Sequence, residues 1–599
     1  MEIQNADANR IKMIFQQVFS AYLYQNTSSM KHLFLLFFSF GLFTVCFATD
    51  YYVSPSGNDA YAGDVGAPWQ TLQYAVDQLQ PGDILHVGPG SYNEKITLHV
   101  SGTATDRIEI TGGFPNAIVD GTGLTSQNAL IAISNQSYIT ISGLELQNNV
   151  MNDAQGILVE GNCQGITLSN NSIHDIHFSA NPNDPADATT NAQPIIVFGS
   201  DPAQAIRDLL IQGNQVHHCR LGYSEGVAVN GNVDGFIVRN NGVYALTNIG
   251  IVAIGHEGTC NDPLLDQARN GTITGNTVHN CNSPYAACGG IYIDGAKAIT
   301  IEQNSCYSND YGIEVGCEHP GKTASEIMVR NNIVRLNAVT GIAFGGYDYP
   351  TNSGSVANSY VYNNTLFKND TIQDGNGEVT LSYAPNCLFE NNIFFTNDQN
   401  RALTVSTTII GLHFNYNLYY NEALDSSNLI ETTDGVFTLA EFQLAGLETN
   451  GLFGDPHFNL TTIDDWSFSL GFNSGSAAID MGNPALTETE VGSQDFFNMV
   501  RILDFAIDIG ASEFWMEGLA ETDLKAVVVS PNPTTGVARL DAQGDYATFT
   551  IFGLDGKQLA TGKLINQEVN LSAFPNGVYV IRFSGTAGLA QSRVVKVSY

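Results

Sequence analysis

From about residue 138 the chain repeats a short apolar strand, a turn, a second strand, and an Asn followed two residues later by Ile, Val or Leu. Segments such as ITLSNNSI, IVRNNGV and YVYNNTL carry the pattern. A spacing near 28 residues, enlarged at some repeats, is typical of a solenoid with loops inserted into some turns. The strands are rich in β-branched residues and lack helical periodicity, so the pattern predicts a parallel β-helix. The repeated residue falls at Asn171, Asn214, Asn241, Asn276, Asn304, Asn332, Asn364, Asn392 and Asn417.

We expect each repeated Asn to stack on its equivalent in the next turn, because ladders of side-chain amides stabilise stacked strands. The asparagines are therefore interpreted as structural.

One strand of each turn begins with Gly and an apolar residue, as in GIYID at 290–294 and GIEVG at 312–316. Side chains alternate across a strand, so Ile291 and Ile293 are predicted to point inward and Tyr292, Asp294 and Glu314 toward solvent. Neighbouring outward positions are small, which predicts a shallow floor on which a chain molecule lies. Long insertions flank this floor, and such loops are where binding residues concentrate.

Asp294 and Glu314 are the candidate catalytic pair. They differ by one turn and two residues along the strand, which predicts Cα atoms roughly 8 Å apart. Two acids this close raise one pKa, so that one stays protonated as general acid while the other attacks or activates water. The range overlaps both retaining and inverting glycosidases and leaves the stereochemistry open.

Other polar residues near the same face are predicted to bind substrate. They are Tyr292, Asn230, His256, Glu257, Glu318, His319, Tyr347 and Asp348.

The N-terminal segment 51–94 carries YYVSPSGNDA, a Pro68-x-x-Thr71 element and the turn Pro81-Gly82-Asp83. It resembles the opening of right-handed parallel β-helix proteins of the pectin-lyase-like class. The resemblance implies first turns closed by a capping helix at about 71–79 and a secreted, carbohydrate-active protein.

GIYIDGAKAITIEQN followed by GIEVGCEH is similar to the acid-bearing turns of β-xylosidase-like and fucosidase-like β-helix glycoside hydrolases. The resemblance implies that Asp294 and Glu314 share the roles of acid and of nucleophile or base, and that no cofactor is needed. The match covers some 30 residues, the gap between the acids is shorter here, and the Trp found near such sites is absent.

Two other functions stay open. A polysaccharide lyase of pectate or alginate type needs a base and a positive group, and Ca²⁺ held by Asp294, Glu314 and Glu318 would supply the charge. The third alternative is a non-catalytic glycan-binding surface protein or adhesin.

The net charge of the chain disfavours some classes of binding partner. With 23 Lys and Arg against 59 Asp and Glu, the net charge is −36, which repels nucleic acids and polyanions. The expected partners are a carbohydrate polymer or oligosaccharide and the export machinery, and we expect a monomer without a membrane span.

Both termini carry targeting signals. The apolar run 33–45 follows Lys31 and precedes a small-residue cleavage pattern ending at Ala48, so residues 1–48 are interpreted as an upstream extension plus a signal peptide that starts at Met30.

At the C-terminal end, SPNPTTG, IFGLDGKQL and FPNGVYVIRF resemble the C-terminal sorting domain of the Bacteroidota type IX secretion route. This implies a secreted or cell-surface protein.

The predicted fold class is thus all-β, a right-handed parallel β-helix with a small C-terminal β-sandwich domain. We place the β-helix at residues 49–453, its terminal turns and cap at 454–522 and the sorting domain at 523–599. Eight cysteines remain after the signal peptide, and both disulfides and buried thiols are open for them.

Overall fold

The architecture comes from a computed structural model of the chain. It describes residues 48–113, 116–407, 411–459, 470–502, 506–514, 524–532, 534–541, 546–552, 558–585 and 588–597. The predicted signal peptide therefore lies outside the described residues, apart from Ala48.

Three long sheets run side by side along the axis of a parallel β-helix, and their strands pair in parallel except that Gly435–Phe437 pairs antiparallel with Ile430–Thr432. Sheet I has 15 strands: Asp50–Val53, Ile84–Val87, Ile108–Gly112, Ile139–Ser142, Ile166–Ser169, Leu209–Gln212, Asp234–Arg239, Arg269–Thr274, Lys297–Glu302, Thr323–Ser325, Met328–Arg330, Ser355–Ala357, Tyr360–Tyr362, Cys387–Glu390 and Leu412–Asn415. Sheet II has 13 strands: Ile96–Leu98, Ala129–Ser134, Ala154–Glu160, Ala192–Gly199, Val227–Gly231, Ile251–Ile254, Gly289–Asp294, Tyr311–Gly316, Thr340–Phe344, Val379–Leu381, Leu403–Val405, Ile430–Thr432 and Gly435–Phe437. Sheet III has 13 strands: Gly90–Tyr92, Ala117–Asp120, Glu145–Val150, Ser172–His177, Gln215–Cys219, Gly242–Leu246, Thr277–Cys281, Ser305–Tyr307, Ile333–Arg335, Thr365–Phe367, Ile393–Phe395, Leu418–Tyr420 and Leu452–Phe453.

Helices are few and short in the described part of the chain. Leu72–Gln78 begins after Thr71 and packs on the first coils, where the resemblance to pectin-lyase-like proteins implied a capping helix. The others are Leu439–Leu444 and Glu488–Val491.

The C-terminal residues form a small β domain of two sheets. One sheet contains Leu524–Ala526, Tyr546–Phe552, Gln558–Lys563, Gly577–Gly585 and Gly588–Lys596, and the other contains Val528–Ser530, Val537–Asp541 and Glu568–Asn570. The predicted all-β class, with a parallel β-helix and a small C-terminal β domain, is confirmed.

The predicted Asn ladder is present at the turn between sheets I and III. From Asn171 to Asn417, the side-chain amide of each Asn donates to Oδ1 of the next, at 2.9–3.0 Å. The residue before each ladder Asn is left-handed, as at Asn170 and Gly213. Asn and Gly tolerate this conformation, which accounts for the recurring Asn-Asn and Gly-Asn pairs.

A second, shorter ladder was not anticipated from the repeat. Asn309 donates to Asn337, Asn337 donates to Asn369, and Asn369 donates to the buried carboxyl group of Glu378. It lies at the turn between sheets III and II and holds the strand Tyr311–Gly316 in register with its neighbours.

The segment between the coils and the C-terminal domain returns along the outside of the β-helix. Asn331 Nδ2 donates to the carbonyl of Val491 at 2.7 Å, and Asn363 Nδ2 donates to the carbonyl of Asp508 at 3.0 Å. Inside this segment the fully buried Arg501 donates to the carbonyls of Asp508 and Gly510. The segment thus covers the edge at which sheets I and III meet.

All eight cysteines of the described chain are buried free thiols. The sequence left both disulfides and buried thiols open, and in the structure these cysteines are buried thiols. Among the described residues no helix is long and apolar enough to cross a bilayer.

Candidate functional site

Two neighbouring strands of sheet II carry the acidic pair. In the register of Gly289–Asp294 with Tyr311–Gly316, Glu314 lies opposite Tyr292, and Asp294 lies opposite Gly316. Ile291 and Ile293 belong to the interior of the coils, whereas Tyr292 packs in a separate apolar cluster with Val252. Tyr292, Asp294 and Glu314 therefore occupy the outer face of the sheet.

The outer face is not open to solvent here, which corrects the expected shallow floor. Tyr292 and Asp294 are each only 4% exposed, and Glu314 is half-buried. Inserted loops that contribute Glu257, Ala286 and Glu318 stand over the strands. The sequence could not predict this cover because inserted loops do not follow the period of the coils.

Two adjoining cavities lie beneath the loops. The larger has a volume of about 420 Å³ and reaches to Tyr347, and the smaller has about 270 Å³ and reaches to Tyr223. Tyr292, Glu314 and Glu318 line both cavities. Glu314 and Glu318 therefore stand where the two cavities meet, and Asp294 lines the smaller one. We call the two cavities together the acidic cleft.

Asp294 is held at the wall of the smaller cavity of the acidic cleft. Its Oδ1 accepts a hydrogen bond from the backbone N–H of Glu318 at 2.7 Å. Burial raises the pKa of Asp294 well above its ordinary value, the nearby carboxyl group of Glu318 raises it further, and the hydrogen bond opposes the shift. A carboxyl group in this setting keeps its proton to a higher pH than an exposed carboxyl group does.

Glu314 meets similar conditions one strand further on. Burial raises its pKa well above the usual value, and Glu318 and then Asp294 add to the shift. Gly289 makes room for this side chain, since a Cβ there would lie 3.0 Å from Cβ of Glu314. Asp294 thus raises the pKa of Glu314, and Glu318 raises the pKa of both groups, so their ionisation is linked through Glu318.

Glu225 and Glu257 extend the cleft on the side of the smaller cavity. Burial and then the charge of Glu257 raise the pKa of Glu225 to about 8. Both side chains are fixed by amides: Gln193 Nε2 donates to Glu225 at 3.4 Å, and Asn230 Nδ2 donates to Glu257 at 2.6 Å.

One group of side chains could hold a metal ion. Glu257, Asp294 and His319 each offer a ligand atom, and the three atoms lie within 4.8 Å of one another. Nε2 of His319 is buried without a hydrogen-bond partner. Two carboxylates and an imidazole suit a transition metal better than Ca²⁺, which takes six to eight oxygen ligands.

The remaining predicted residues lie in different places. Tyr347 lines the larger cavity, whereas the buried Asn230 lines neither cavity and positions Glu257. His256 lines a separate cavity with Lys322. Asp348 is exposed and accepts hydrogen bonds from its own turn, including one from Asn352.

Several lining residues were not singled out from the sequence. Tyr223 and Tyr285 stack with ring centroids 5.1 Å apart at the smaller cavity, and Tyr311 lines the larger one. Tyr223 and Tyr285 belong to loops of unrelated sequence, and only the fold brings them together. Tyr311 begins the same strand as Glu314, and this position was the available signal.

Comparisons with known proteins agree with this architecture. Residues 264–442 match the model of the right-handed β-helix region, and residues 528–597 match that of the secretion system C-terminal sorting domain. The sorting domain makes this a protein that is secreted or displayed at the outer cell surface.

Three similar proteins illustrate the relationships. The uncharacterized protein YwoF of Bacillus subtilis (strain 168) is 36% identical over 392 residues, which are 62% of this chain and 80% of YwoF. Pectate lyase PEL9 of Emericella nidulans is 41% identical over 66 residues, only 11% of this chain and 16% of the lyase. The structure of XylC in complex with xylose has a TM-score of 0.49 at 12% identity and covers 77% of this chain and 98% of XylC. Given the extent of the match to YwoF, this chain belongs to the same family of right-handed β-helix proteins as Bacillus subtilis YwoF.

Proposed function

We propose that the protein is a secreted glycoside hydrolase that cleaves a saccharide in the acidic cleft, with Asp294 and Glu314 as the catalytic pair. The observation that carries the proposal is their position: both stand on the outer face of adjacent strands and line the smaller cavity, and Glu314 also lines the larger one. Glycoside hydrolysis needs two carboxyl groups of this kind on either side of the scissile bond.

The proposed chemistry uses the two protonation states of the pair. The group that keeps its proton donates it to the glycosidic oxygen as the bond from C1 to that oxygen breaks. The group that ionises first either attacks C1, forming a glycosyl ester that a water then cleaves as its proton passes to the first group, or takes a proton from a water that attacks C1. The raised pKa values of Asp294 and Glu314 support retention of a proton on the pair at a higher pH than exposed carboxyl groups would allow.

The rest of the cleft suits a saccharide that extends to both sides of the bond. The larger cavity lies within the roughly 300–1,000 Å³ typical of small-molecule sites. Exposed Tyr223 and Tyr347 stand at opposite cavities, and tyrosine rings offer an apolar face to a sugar ring.

The test is turnover of a panel of oligosaccharides by the mature protein and two variants. We expect Asp294→Asn and Glu314→Gln each to lower kcat by about 10²- to 10⁴-fold. Glu109→Gln, an exposed acid on sheet I, is the matched control. Melting temperatures of all variants report whether folding is intact, and activity retained in both Asp294 and Glu314 variants would contradict the assignment.

A polysaccharide lyase is the second candidate, because the 66-residue match is to a pectate lyase. The residues around Asp294 fit Ca²⁺ poorly, since the metal-like group has only three donors and one is an imidazole. No Lys or Arg lines either cavity in the described part of the chain. An unsaturated product would select the lyase over the hydrolase.

A further inference from the structure

Three polar side chains from neighbouring coils converge at one edge of sheet II. Asp294 is the last residue of its strand, Glu257 comes shortly after Ile254 at the end of the preceding strand, and His319 comes shortly after Gly316 at the end of the following one. The three strands are consecutive and parallel, so their carboxyl ends share an edge. One ligand atom of Glu257, one of Asp294 and one of His319 lie within 4.8 Å of one another.

The three groups converge without pairing. In the described part of the chain, His319 forms no hydrogen bond or ion pair with the carboxyl group of Glu257 or Asp294. An imidazole and two carboxyl groups brought this close would ordinarily bind one another directly. A metal ion between them accounts for the gap, because bonds of about 2.0–2.2 Å to one ion place its ligands roughly 3.3–4.4 Å apart.

Two buried atoms of this group lack the partners that burial requires. Nε2 of His319 is buried without a hydrogen-bond partner. Asp294 is 4% exposed, and its Oδ1 accepts from the N–H of Glu318, whereas its Oδ2 has no hydrogen-bond partner among the described residues. Polar atoms left this way are costly unless a ligand binds them. An ion bound by Asp294 and His319 satisfies both.

Both carboxyl groups are oriented by donors outside the group. Asn230 Nδ2 donates to Oε2 of Glu257 at 2.6 Å, and Oδ1 of Asn230 in turn accepts from Thr259 Oγ1 at 2.9 Å. The N–H of Glu318 holds Asp294 in the same manner at 2.7 Å. One oxygen of each carboxyl group is thereby engaged and the other is left for a ligand. Hydrogen bonds of this kind behind the ligands fix their orientation in metal sites.

The donor set selects the class of ion. Ca²⁺ takes six to eight oxygen ligands, whereas Zn²⁺ binds a mixture of imidazole and carboxylate ligands in a tetrahedron. Three protein ligands leave one position of a tetrahedral ion open. Because Glu257 and Asp294 line the smaller cavity, this position faces the cavity, where a water or a sugar hydroxyl group completes the coordination.

We propose that Glu257, Asp294 and His319 bind one divalent transition-metal ion of the Zn²⁺ type at the wall of the smaller cavity. The ion joins two inserted loops to the end of the strand between them. The proposal does not depend on the proposed hydrolysis. Where Asp294 is also catalytic, the bound ion takes the oxygen that catalysis needs, so Zn²⁺ inhibits hydrolysis and a chelator restores it.

The experiment is titration calorimetry of the mature protein, without an affinity tag, with Zn²⁺ alone as the ligand. Excess Ca²⁺ is present throughout, because a chain of net charge −36 offers many weak acidic sites. We expect one Zn²⁺ per chain, bound at micromolar concentration or below. His319→Ala and Glu257→Gln should each weaken binding by about tenfold or more. His413→Ala, which removes an exposed imidazole on sheet I, should preserve it.

Melting temperatures provide a second measurement. Zn²⁺ should raise the melting temperature of the wild type and of His413→Ala, since an ion that binds only the folded state stabilises it. It should leave that of His319→Ala unchanged. The melting temperatures without Zn²⁺ report whether each variant folds, and Glu257→Gln decides the matter if His319→Ala does not.

The outcomes separate this inference from the proposed function. No stoichiometric binding of Zn²⁺ in excess Ca²⁺, or binding that survives both His319→Ala and Glu257→Gln, overturns the inference even where saccharides are hydrolysed. Zn²⁺ binding that needs both residues supports it even where no saccharide is turned over. Turnover that persists with Zn²⁺ bound contradicts the catalytic role of Asp294 and leaves the metal site standing.

Discussion

Nδ2 of Asn417 donates a hydrogen bond of 2.8 Å to Oε2 of Glu448, and this contact ends the Asn ladder. Each Asn of the ladder donates a hydrogen bond to the next one. The amide of the last Asn therefore requires an acceptor that does not itself carry an amide donor to be satisfied. The carboxyl group of Glu448, which is fully buried, also accepts from Tyr419 Oη at 2.9 Å. Glu378 ends the shorter ladder in the same way.

Interrupting the ladder should destabilise the coils. In Asn332→Ala, the amide of Asn304 loses its acceptor and Oδ1 of Asn364 loses a donor, both in the interior. We expect the free energy of unfolding to fall by about 1–3 kcal/mol. Denaturant unfolding measures it, with exposed Asn162→Ala as control, and an equal effect of the two changes would contradict the structural role of the ladder.

Glu448 should make stability depend on pH. Burial raises its pKa from 4.5 to about 7, so between these values the folded state holds a proton that the unfolded state releases. The stabilisation that Glu448 contributes to the free energy of unfolding is complete below about pH 4.5. It is lost as the pH rises through 7, by up to about 3 kcal/mol. Glu448→Gln removes the titrating group, so its unfolding free energy should decline less between pH 5 and 8 than that of the wild type. Glu422→Gln, which changes an exposed acid, should follow the wild type; parallel curves for Glu448→Gln and the wild type would refute the prediction.

Glu318 should set the pH range of activity. After burial, it is the largest cause of the raised pKa of both Asp294 and Glu314. Glu318→Gln removes its negative charge, so both carboxyl groups ionise more easily and both pKa values fall. We expect the whole profile of kcat/KM against pH to move to lower pH by roughly one unit. A shift to higher pH, or none relative to Glu109→Gln, would exclude the proposed pair.

The stacked tyrosines should contribute to substrate binding more than to chemistry. Tyr285→Ala removes the ring that packs on Tyr223 beside the smaller cavity. We expect KM to rise about three- to tenfold with little change in kcat. Steady-state kinetics measures this, and Tyr61→Ala is the control because that exposed ring belongs to the N-terminal coils. A loss confined to kcat would place Tyr285 in a different role.

The C-terminal domain should be required for export. Because residues 528–597 match a secretion sorting domain, a chain that ends at residue 523 should remain inside the outer membrane. Immunoblots of culture medium and cell fractions measure this. Mass spectrometry of the exported form should find it without the residues after about 523, and export of the truncated chain would show that another signal suffices.

Much of the β-helix follows from local sequence. The Asn repeats, most of them preceded by an Asn or Gly that tolerates the left-handed conformation, fix where a coil turns from sheet I to sheet III. Strict alternation along GIYID and GIEVG then decides which side chains leave the core, and the register of Tyr292 with Glu314 follows from stacking equivalent turns. The shorter ladder produces no recognisable period in the sequence, because its three asparagines span only three coils.

The sequence by itself thus determined the coils, their Asn ladder and the face that presents Asp294 and Glu314, because each depends on a repeat that every turn renews. Only the tertiary structure decided that this face is a covered acidic cleft rather than an open floor. Tyr223, Glu257 and Ala286 come from insertions of different length, and no periodicity relates them. These three residues lie together over the strands only because the loops pack across neighbouring coils. The same packing buries Asp294 and Glu314 and so raises their pKa values.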